Sequence, residues 1–234
     1  MHDEPFDEYA KQYDEWFLKN RRVLQSEVLL LKHFLARPGK ALSVGCGSGL
    51  FELLLRREHG ISIEHGVEPA RGMALIAQRR GMTVRGGRAE QLPFSDAEFD
   101  TVMLNGTPSY IQDLKAALVE AHRVLKPDGV IVIADVPAES SYGLLYSLAE
   151  HEGTWNDPYL QKVAPADPYP VEFVASASWR TTEEKAKLLE ACGFMDLEYA
   201  QTLTRHPKYS DAEVEQPIEG YDRGDYVAIR ARRR

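Results

Sequence analysis

Residues 43–49 read Ser43-Val-Gly-Cys-Gly-Ser-Gly49, and the reading of this stretch decides the fold. Glycine at Gly45, Gly47 and Gly49 removes the side chain from three alternating positions, which permits left-handed turns and close approach of a ligand to the backbone. A dinucleotide, a phosphate, another nucleoside or plain turn chemistry would all suit such a loop, so its surroundings must choose. Before it, Ala41-Leu-Ser-Val44 is a short apolar strand; after it, Leu50, Leu53, Leu54 and Arg57 recur at helical spacing.

The alternation repeats downstream. Ile61-Ser-Ile-Glu-His-Gly-Val67 reads as a second strand, residues 70–80 as a helix stopped by Gly81, Met82-Thr-Val84 as a third strand and Phe99-Asp-Thr-Val-Met-Leu104 as a fourth. Asp113 caps a helix whose apolar residues Leu114, Ala117, Leu118, Ala121, Val124 and Leu125 keep helical spacing, and Lys126-Pro-Asp-Gly129 turns it into Val130-Ile-Val-Ile-Ala134. A strand apolar at nearly every position suits a parallel sheet covered on both faces. Upstream, residues 6–35 read as one helix with Leu24, Val28, Leu31 and Leu35 along a face, ended by Pro38-Gly39. The class is therefore α/β, an open doubly wound sheet with right-handed crossovers, whose ligand lies beyond the carboxyl ends of the strands.

Residues 137–180 interrupt the rhythm. They carry Tyr142, Tyr146, Trp155, Tyr159, Tyr169, Phe173 and Trp179 with prolines at 158, 165, 168 and 170, and read as an inserted lid. Thr181 and Glu184 have the spacing of a capping box for a helix over 185–192 closed by Gly193, and strands near 195–203 and 226–229 complete the sheet as a hairpin.

Composition excludes several classes. The net charge of −8 lacks the footprint of a nucleic-acid binder, and Arg230-Ala-Arg-Arg-Arg234 reads as a basic tail. Cys46 and Cys192 form neither a disulfide framework nor a zinc motif, and no metal site is expected. The start, Met1-His-Asp-Glu-Pro5, is acidic where a signal peptide is basic, and no apolar run reaches the roughly 18 residues of a spanning helix. A soluble, cytoplasmic protein without membrane association is expected.

Three observations narrow the ligand. A dinucleotide loop needs glycine at position 50, which is Leu50, and no Gly-Lys-Ser/Thr follows for a phosphate loop. At the end of the second strand Glu68 offers a carboxylate suited to two ribose hydroxyls. A reductase would want Tyr-x-x-x-Lys, and Tyr142 is followed at that spacing by Tyr146.

Val44-Gly-Cys-Gly-Ser-Gly49, Gly66-Val-Glu-Pro69, Ala89-Glu-Gln-Leu-Pro-Phe94, Phe99-Asp-Thr-Val102 and Arg123-Val-Leu-Lys-Pro-Asp-Gly129 occur in the order and spacing of class I S-adenosylmethionine-dependent methyltransferases. The chain most resembles the branch that includes the ubiquinone and menaquinone biosynthetic enzymes. The resemblance implies a Rossmann-like, mostly parallel seven-stranded sheet with a C-terminal antiparallel hairpin. A single domain over 1–234 then divides into a helical cover (1–37), a cofactor-binding core (38–136), a lid insertion (137–180) and a C-terminal helix and hairpin (181–234). It also implies S-adenosylmethionine as cofactor. Gly45, Cys46, Gly47 and Gly49 would meet its amino-acid part, Glu68 the ribose, Pro69 and Met73 the adenine faces, Ala89 and Glu90 the adenine edge, and Asn105 the methionine. Two positions depart from the family pattern: Ser43 and Arg88 stand where acidic residues are usual.

Methyl transfer is an in-line displacement catalysed by alignment, so a dedicated catalytic residue is optional. Tyr13, Tyr110, Asp135 and His151 are the candidates to line the methyl site or act as base, with Trp16 and Phe17 beside Tyr13 on the cover. His122 reads as structural and Cys46 as a small loop residue. Residues 137–179 carry Glu139, Glu150, Glu152, Asp157, Asp167 and Glu172 against Lys162, which favours a neutral or cationic small-molecule acceptor. A sensor that binds the cofactor without transferring its methyl stays open as the alternative.

Overall fold

The computed structural model describes residues 10–234. The beginning of the helix expected over 6–35, and the acidic start at 1–5, lie outside the described residues. The remainder of that helix is two helices, α1 (Ala10–Lys19) and α2 (Arg21–Phe34). They part at Asn20, whose backbone leaves helical geometry (φ −92°, ψ 60°) while its side-chain amide donates to the Trp16 carbonyl at 3.0 Å and to Asp167 at 2.9 Å. Asparagine competes in this way with a helix's own hydrogen bonds.

The sheet has eight strands: β1 (Ala41–Val44), β2 (His65–Val67), β3 (Thr83–Arg85), β4 (Phe99–Asn105), β5 (Leu125–Asp135), β6 (Phe194–Thr202), β7 (Ile218–Glu219) and β8 (Tyr226–Arg233). Their order is β3-β2-β1-β4-β5-β8-β6-β7. The first five are parallel, and β8 runs antiparallel between β5 and β6. The order reverses between β1 and β4, so a crevice opens beyond their carboxyl ends. Four helices, α3 (Leu50–His59), α4 (Arg71–Arg79), α5 (Leu114–Val124) and α9 (Thr182–Ala191), supply the connections.

Alternation along the central strands explains the apolar runs. Met103, Val132 and Ala134 join the core under α2, whereas Val102, Leu104, Ile131 and Ile133 join the core under α5 and α9. Each strand thus buries both sets of side chains.

Three details differ from the sequence reading. The sheet is eight-stranded, not seven-stranded: β7 adds a two-residue pairing of Ala200 with Glu219 and Gln201 with Ile218, too short to show an alternating pattern. Strand β2 pairs only over His65–Val67, although Ile61 and Ile63 before it are buried in the core. Strand β5 starts at Leu125, pairs with Phe99, and resumes at Val130 opposite Thr101, so the Lys126-Pro-Asp-Gly129 turn is a bulge within the strand. The expected caps are present: Asp113 accepts the Ala116 N–H at 3.0 Å, and Thr181 with Glu184 forms a capping box.

The insertion forms α6 (Ser141–Glu152), α7 (Leu160–Val163) and α8 (Val171–Val174). It is tied to α1 through Asp167, whose carbonyl accepts the Trp16 indole N–H at 3.0 Å and whose carboxylate pairs with Lys19 at 2.7 Å. Arg180 fastens its far end by donating to the carbonyls of Pro108 (2.9 Å) and Ile111 (3.1 Å), just beyond β4. None of the described helices is long and apolar enough to cross a membrane.

Candidate active site

At the carboxyl end of β1 the chain reverses into α3 through left-handed backbone at Gly45 (φ 67°), Gly47 (φ 52°) and Gly49 (φ 70°). Neighbours also forbid a side chain at two of them. A Cβ on Gly45 would lie 2.4 Å from Thr107 Cγ2, and one on Gly49 2.8 Å from Met82 Sδ. At Gly47 a Cβ would meet nothing within 4 Å, because that position faces a cleft. The cleft, with the solvent at its mouth, spans about 770 Å³ and is bounded by Gly45, Gly47, Glu68, Pro69, Met73, Ala89, Glu90 and Asn105, with Arg88, Thr107, Tyr13 and Tyr110 among its other walls.

Glu68 organises one side of this space. Its carboxylate accepts the Gly47 N–H at 2.8 Å and the Ala70 N–H at 2.9 Å, joining the glycine loop to the N-terminus of α4. Opposite, the Asn105 side-chain carbonyl accepts the Tyr226 hydroxyl at 3.0 Å, which leaves its NH₂ as the donor group at this wall.

Under the loop, Ser43 donates to Glu52 at 2.6 Å. Glu52 lies in the first turn of α3, buried, with its second oxygen unpartnered among the described residues, and burial holds its carboxyl above the usual range. The acidic group missing at position 43 is therefore present on the adjacent helix. Ser43→Asp would set two buried carboxylates against each other and is expected to cost about 3 kcal/mol in urea unfolding. Combining it with Glu52→Ser should recover most of that loss.

Helix α1 closes over the loop by a charged clamp. Arg80 pairs with Asp14 at 2.6 Å and donates to the Ser48 hydroxyl at 2.7 Å, and Ser48 in turn donates to Asp14 at 2.5 Å. Because the clamp fixes Tyr13 above the cleft, Asp14→Ala is expected to weaken cofactor binding roughly tenfold in calorimetry. Unchanged affinity would mean that α1 does not restrain the cleft.

A second chamber, about 470 Å³ with the solvent at its mouth, adjoins the cleft and shares Tyr13, Asn105, Gly106 and Tyr110 with it. Its walls are aromatic: Trp16 and Phe17 from α1, Phe51 from α3, Tyr146 from α6, Tyr169, Trp179 and Tyr226. Ring pairs such as Trp16–Tyr169 (5.0 Å) and Tyr146–Trp179 (5.0 Å) hold these walls together. Among the described residues, its charged lining groups are two carboxylates, Glu27 and Asp135.

The family model described as Methyltransferase domain matches residues 42–133. A crystal structure of a SAM-dependent methyltransferase from Thermotoga maritima, described as a possible histamine N-methyltransferase, is 32% identical, with 98% of each chain covered and a TM-score of 0.84. An uncharacterized protein of Methanocaldococcus jannaschii is 31% identical over 227 residues, 97% of each chain. The ubiquinone/menaquinone biosynthesis C-methyltransferase of Desulfotalea psychrophila is 25% identical, covering 85% of this chain and 84% of its own. The chain belongs to the class I S-adenosylmethionine-dependent methyltransferases.

S-adenosylmethionine is accordingly the cofactor of this methyltransferase, and the cleft at Gly47 is lined by a carboxylate, an amide and exposed loop backbone of the kinds that such a group requires. Of the residues expected to hold it, Gly45, Gly47, Glu68, Pro69, Met73, Ala89, Glu90 and Asn105 come together in the cleft. Cys46 and Gly49 stand behind it. The Cys46 side chain is buried against Ala77 and Met82, with its thiol pushed up by burial and then by Glu52 and Glu68, which suits a packing role. Gly49 caps α3.

Among the candidates for the methyl site, Tyr13 and Tyr110 line both spaces and Asp135 lines the chamber. Burial pushes both tyrosine hydroxyls upward, so neither is a ready base near neutrality. Asp135 is occupied, accepting Ser109 Oγ at 2.6 Å and the Val136 N–H at 2.9 Å beside buried Lys185 at 3.9 Å. His151 is not brought to the site: its side chain is 82% exposed on α6, facing Glu152 at 3.2 Å. His122 packs against Phe194 at 5.5 Å beneath Gly193, away from both spaces.

Sequence reasoning missed Glu27. It lies on α2 three residues after Leu24 and four before Leu31, inside the apolar stripe, and a charge at that spacing was the available signal. Tyr226 and Trp179 carried no comparable signal, since each reaches the chamber only through tertiary folding.

Proposed function

We propose that the methyltransferase transfers the cofactor's methyl to a small neutral or cationic acceptor with aromatic or apolar surface, held in the chamber between α1, α2 and the insertion. The observation that carries this reading is the aromatic chamber joined to the cofactor cleft, with carboxylates as its charged lining groups. A phosphorylated acceptor would meet like charge there, whereas a cation gains from both the ring faces and the acids. Histamine, named for the Thermotoga maritima relative, is a small cation with an aromatic ring and points the same way.

When bound, S-adenosylmethionine supplies an electrophilic methyl on a sulfonium. The backbone of Gly45 and Gly47 and the Asn105 amide hold its amino-acid end, Glu68 takes the ribose hydroxyls, and Pro69, Met73, Ala89 and Glu90 surround the base. Tyr13 and Tyr110 form the wall through which acceptor and methyl meet. Residues 137–180 act as the lid that keeps water from the reaction, since Tyr146, Tyr169 and Trp179 complete the chamber roof. The chain's contribution is alignment and exclusion of water.

The test is product formation over a library of neutral, cationic and polyanionic acceptors that includes histamine, read by mass spectrometry of the methylated products. Turnover confined to polyanions would overturn the reading, and cofactor binding with no turnover on any acceptor would favour a sensor.

A further inference from the structure

We infer that the chamber is an ammonium-recognition subsite in which Glu27 binds the acceptor's protonated amine and removes its proton, so that the enzyme is an N-methyltransferase of small amines. This rests on the reading of the chamber as the acceptor site and narrows it to one class of nucleophile.

Three features of Glu27 carry the inference. It is 5% exposed, yet its side chain lines the chamber. Among the described residues no hydrogen bond or ion pair reaches its carboxylate, whereas Asp135, the other acid of the chamber, is held by Ser109, Val136 and Lys185. A buried carboxylate without a partner costs several kcal/mol and is retained where a partner arrives from outside. The rings of Trp16, Tyr146, Tyr169 and Trp179 stand around the same space, and an aromatic enclosure with an acid is the surface that selects an ammonium over a neutral or anionic group of equal size.

The chemistry balances within the chamber. An amine enters as R–NH₃⁺ and passes one N–H proton to a Glu27 oxygen, giving R–NH₂ and a neutral carboxylic acid. The freed nitrogen lone pair forms the N–CH₃ bond while the C–S bond breaks with its electron pair going to sulfur. The product leaves as R–NH₂CH₃⁺, and the Glu27 proton goes to solvent when the chamber opens. Burial drives the first step, because it disfavours both charged partners: Glu27 is pushed well above the usual carboxylate range, first by desolvation and then by Asp135, and an ammonium in the same surroundings is pushed down. The titratable groups that face Glu27 are Asp135 from β5, Tyr13 from α1, Tyr142 and Tyr146 from α6, and Tyr226 from β8, and burial keeps the four tyrosines neutral.

The experiment is calorimetric titration of the full chain, saturated with S-adenosylhomocysteine, with benzylamine and tryptamine and with the isosteres benzyl alcohol and benzoate. The amines should bind about tenfold or more tightly than either isostere. Glu27→Gln should lose about 50-fold in amine affinity while its affinity for S-adenosylhomocysteine stays within about twofold. Its thermal midpoint should equal or exceed that of the parent, because a buried unpartnered charge has been removed; an acid with a purely structural role would instead lower it. In the parent, amine affinity should fall as pH drops through the raised Glu27 titration, with proton release measured by comparing two buffers. Equal binding of amine and alcohol, or an indifferent Glu27→Gln, would overturn the inference. If that variant does not fold, the parent's pH dependence decides in its place. Turnover of neutral acceptors with no amine bound would sink the inference yet leave the broader reading standing. Amine binding without any turnover would overturn both the N-methyltransferase assignment and the broader reading.

Discussion

Glu68→Ala is expected to raise the dissociation constant for S-adenosylhomocysteine by about 100-fold, close to 3 kcal/mol. Two effects combine. On the proposed reading the substitution removes the charged acceptor for the ribose hydroxyls, and it also releases the Gly47 and Ala70 amides that the carboxylate now holds at 2.8 and 2.9 Å. The loop at Gly47 then loses its tie to α4 and must be ordered by the cofactor itself, at a cost in affinity. Glu68→Gln separates the contributions, since an amide oxygen still accepts one backbone N–H while the charge is gone. Calorimetry on both variants should place Gln between Ala and the parent. Unchanged affinity in the Ala variant would remove Glu68 from the cofactor site.

Asp135→Ala should destabilise the fold by about 3–5 kcal/mol. Asp135 and Lys185 are each 3% exposed, with Lys185 Nζ 3.9 Å from the carboxylate and without a hydrogen bond among the described residues. Removing the acid leaves an ammonium buried with little compensation, whereas Asp135→Ala with Lys185→Met should recover most of the loss. A pH series checks the cause. Burial already pulls the Lys185 ammonium down, and Asp135 is the main group holding it up. Without Asp135 its folded-state pKa falls further below the unfolded value. The unfolded chain then binds more protons between the two values, so stability rises with pH in that window. The variant's deficit should therefore shrink as pH rises toward the unfolded lysine value of about 10.4. A deficit independent of pH would assign the loss to the Ser109 and Val136 hydrogen bonds instead.

The cofactor cleft was legible from the chain because its elements are local. Gly45, Gly47 and Gly49 each adopt the left-handed backbone that glycine takes most readily, and Glu68 ends the strand that pairs beside them. Eight of the ten residues expected there line one cleft, and the other two sit directly behind it. Ser43 shows the limit of this reasoning. Its departure from the family pattern pointed to a missing acid, but Glu52, nine residues later, supplies one at 2.6 Å. The first turn of the helix that follows the loop brings this carboxylate under the strand, a contact that position 43 read by itself does not register.

The chamber is the opposite case. Its walls come from α1, α2, α3, β5, α6, the end of the insertion and β8, segments spread from Tyr13 to Tyr226. Each aromatic ring reads in isolation as core, because burial of a ring looks the same whether it faces another side chain or an open space. His151 reads as a candidate base from its place in the insertion, but the turn of α6 on which it falls points to solvent. Glu27 reads as one charge on a helix until α1 and the insertion close over it.

By itself the sequence determined the parallel core, the glycine loop and, through Glu68, a nucleoside as ligand, since these follow from backbone sterics and from contacts made within one strand, turn and helix; the cofactor itself came from the resemblance of the joint motifs to a family. Only the tertiary structure decided which acids are buried, which of them lacks a partner and what the aromatic rings enclose, because burial and pairing belong to surfaces that meet only after distant segments have packed.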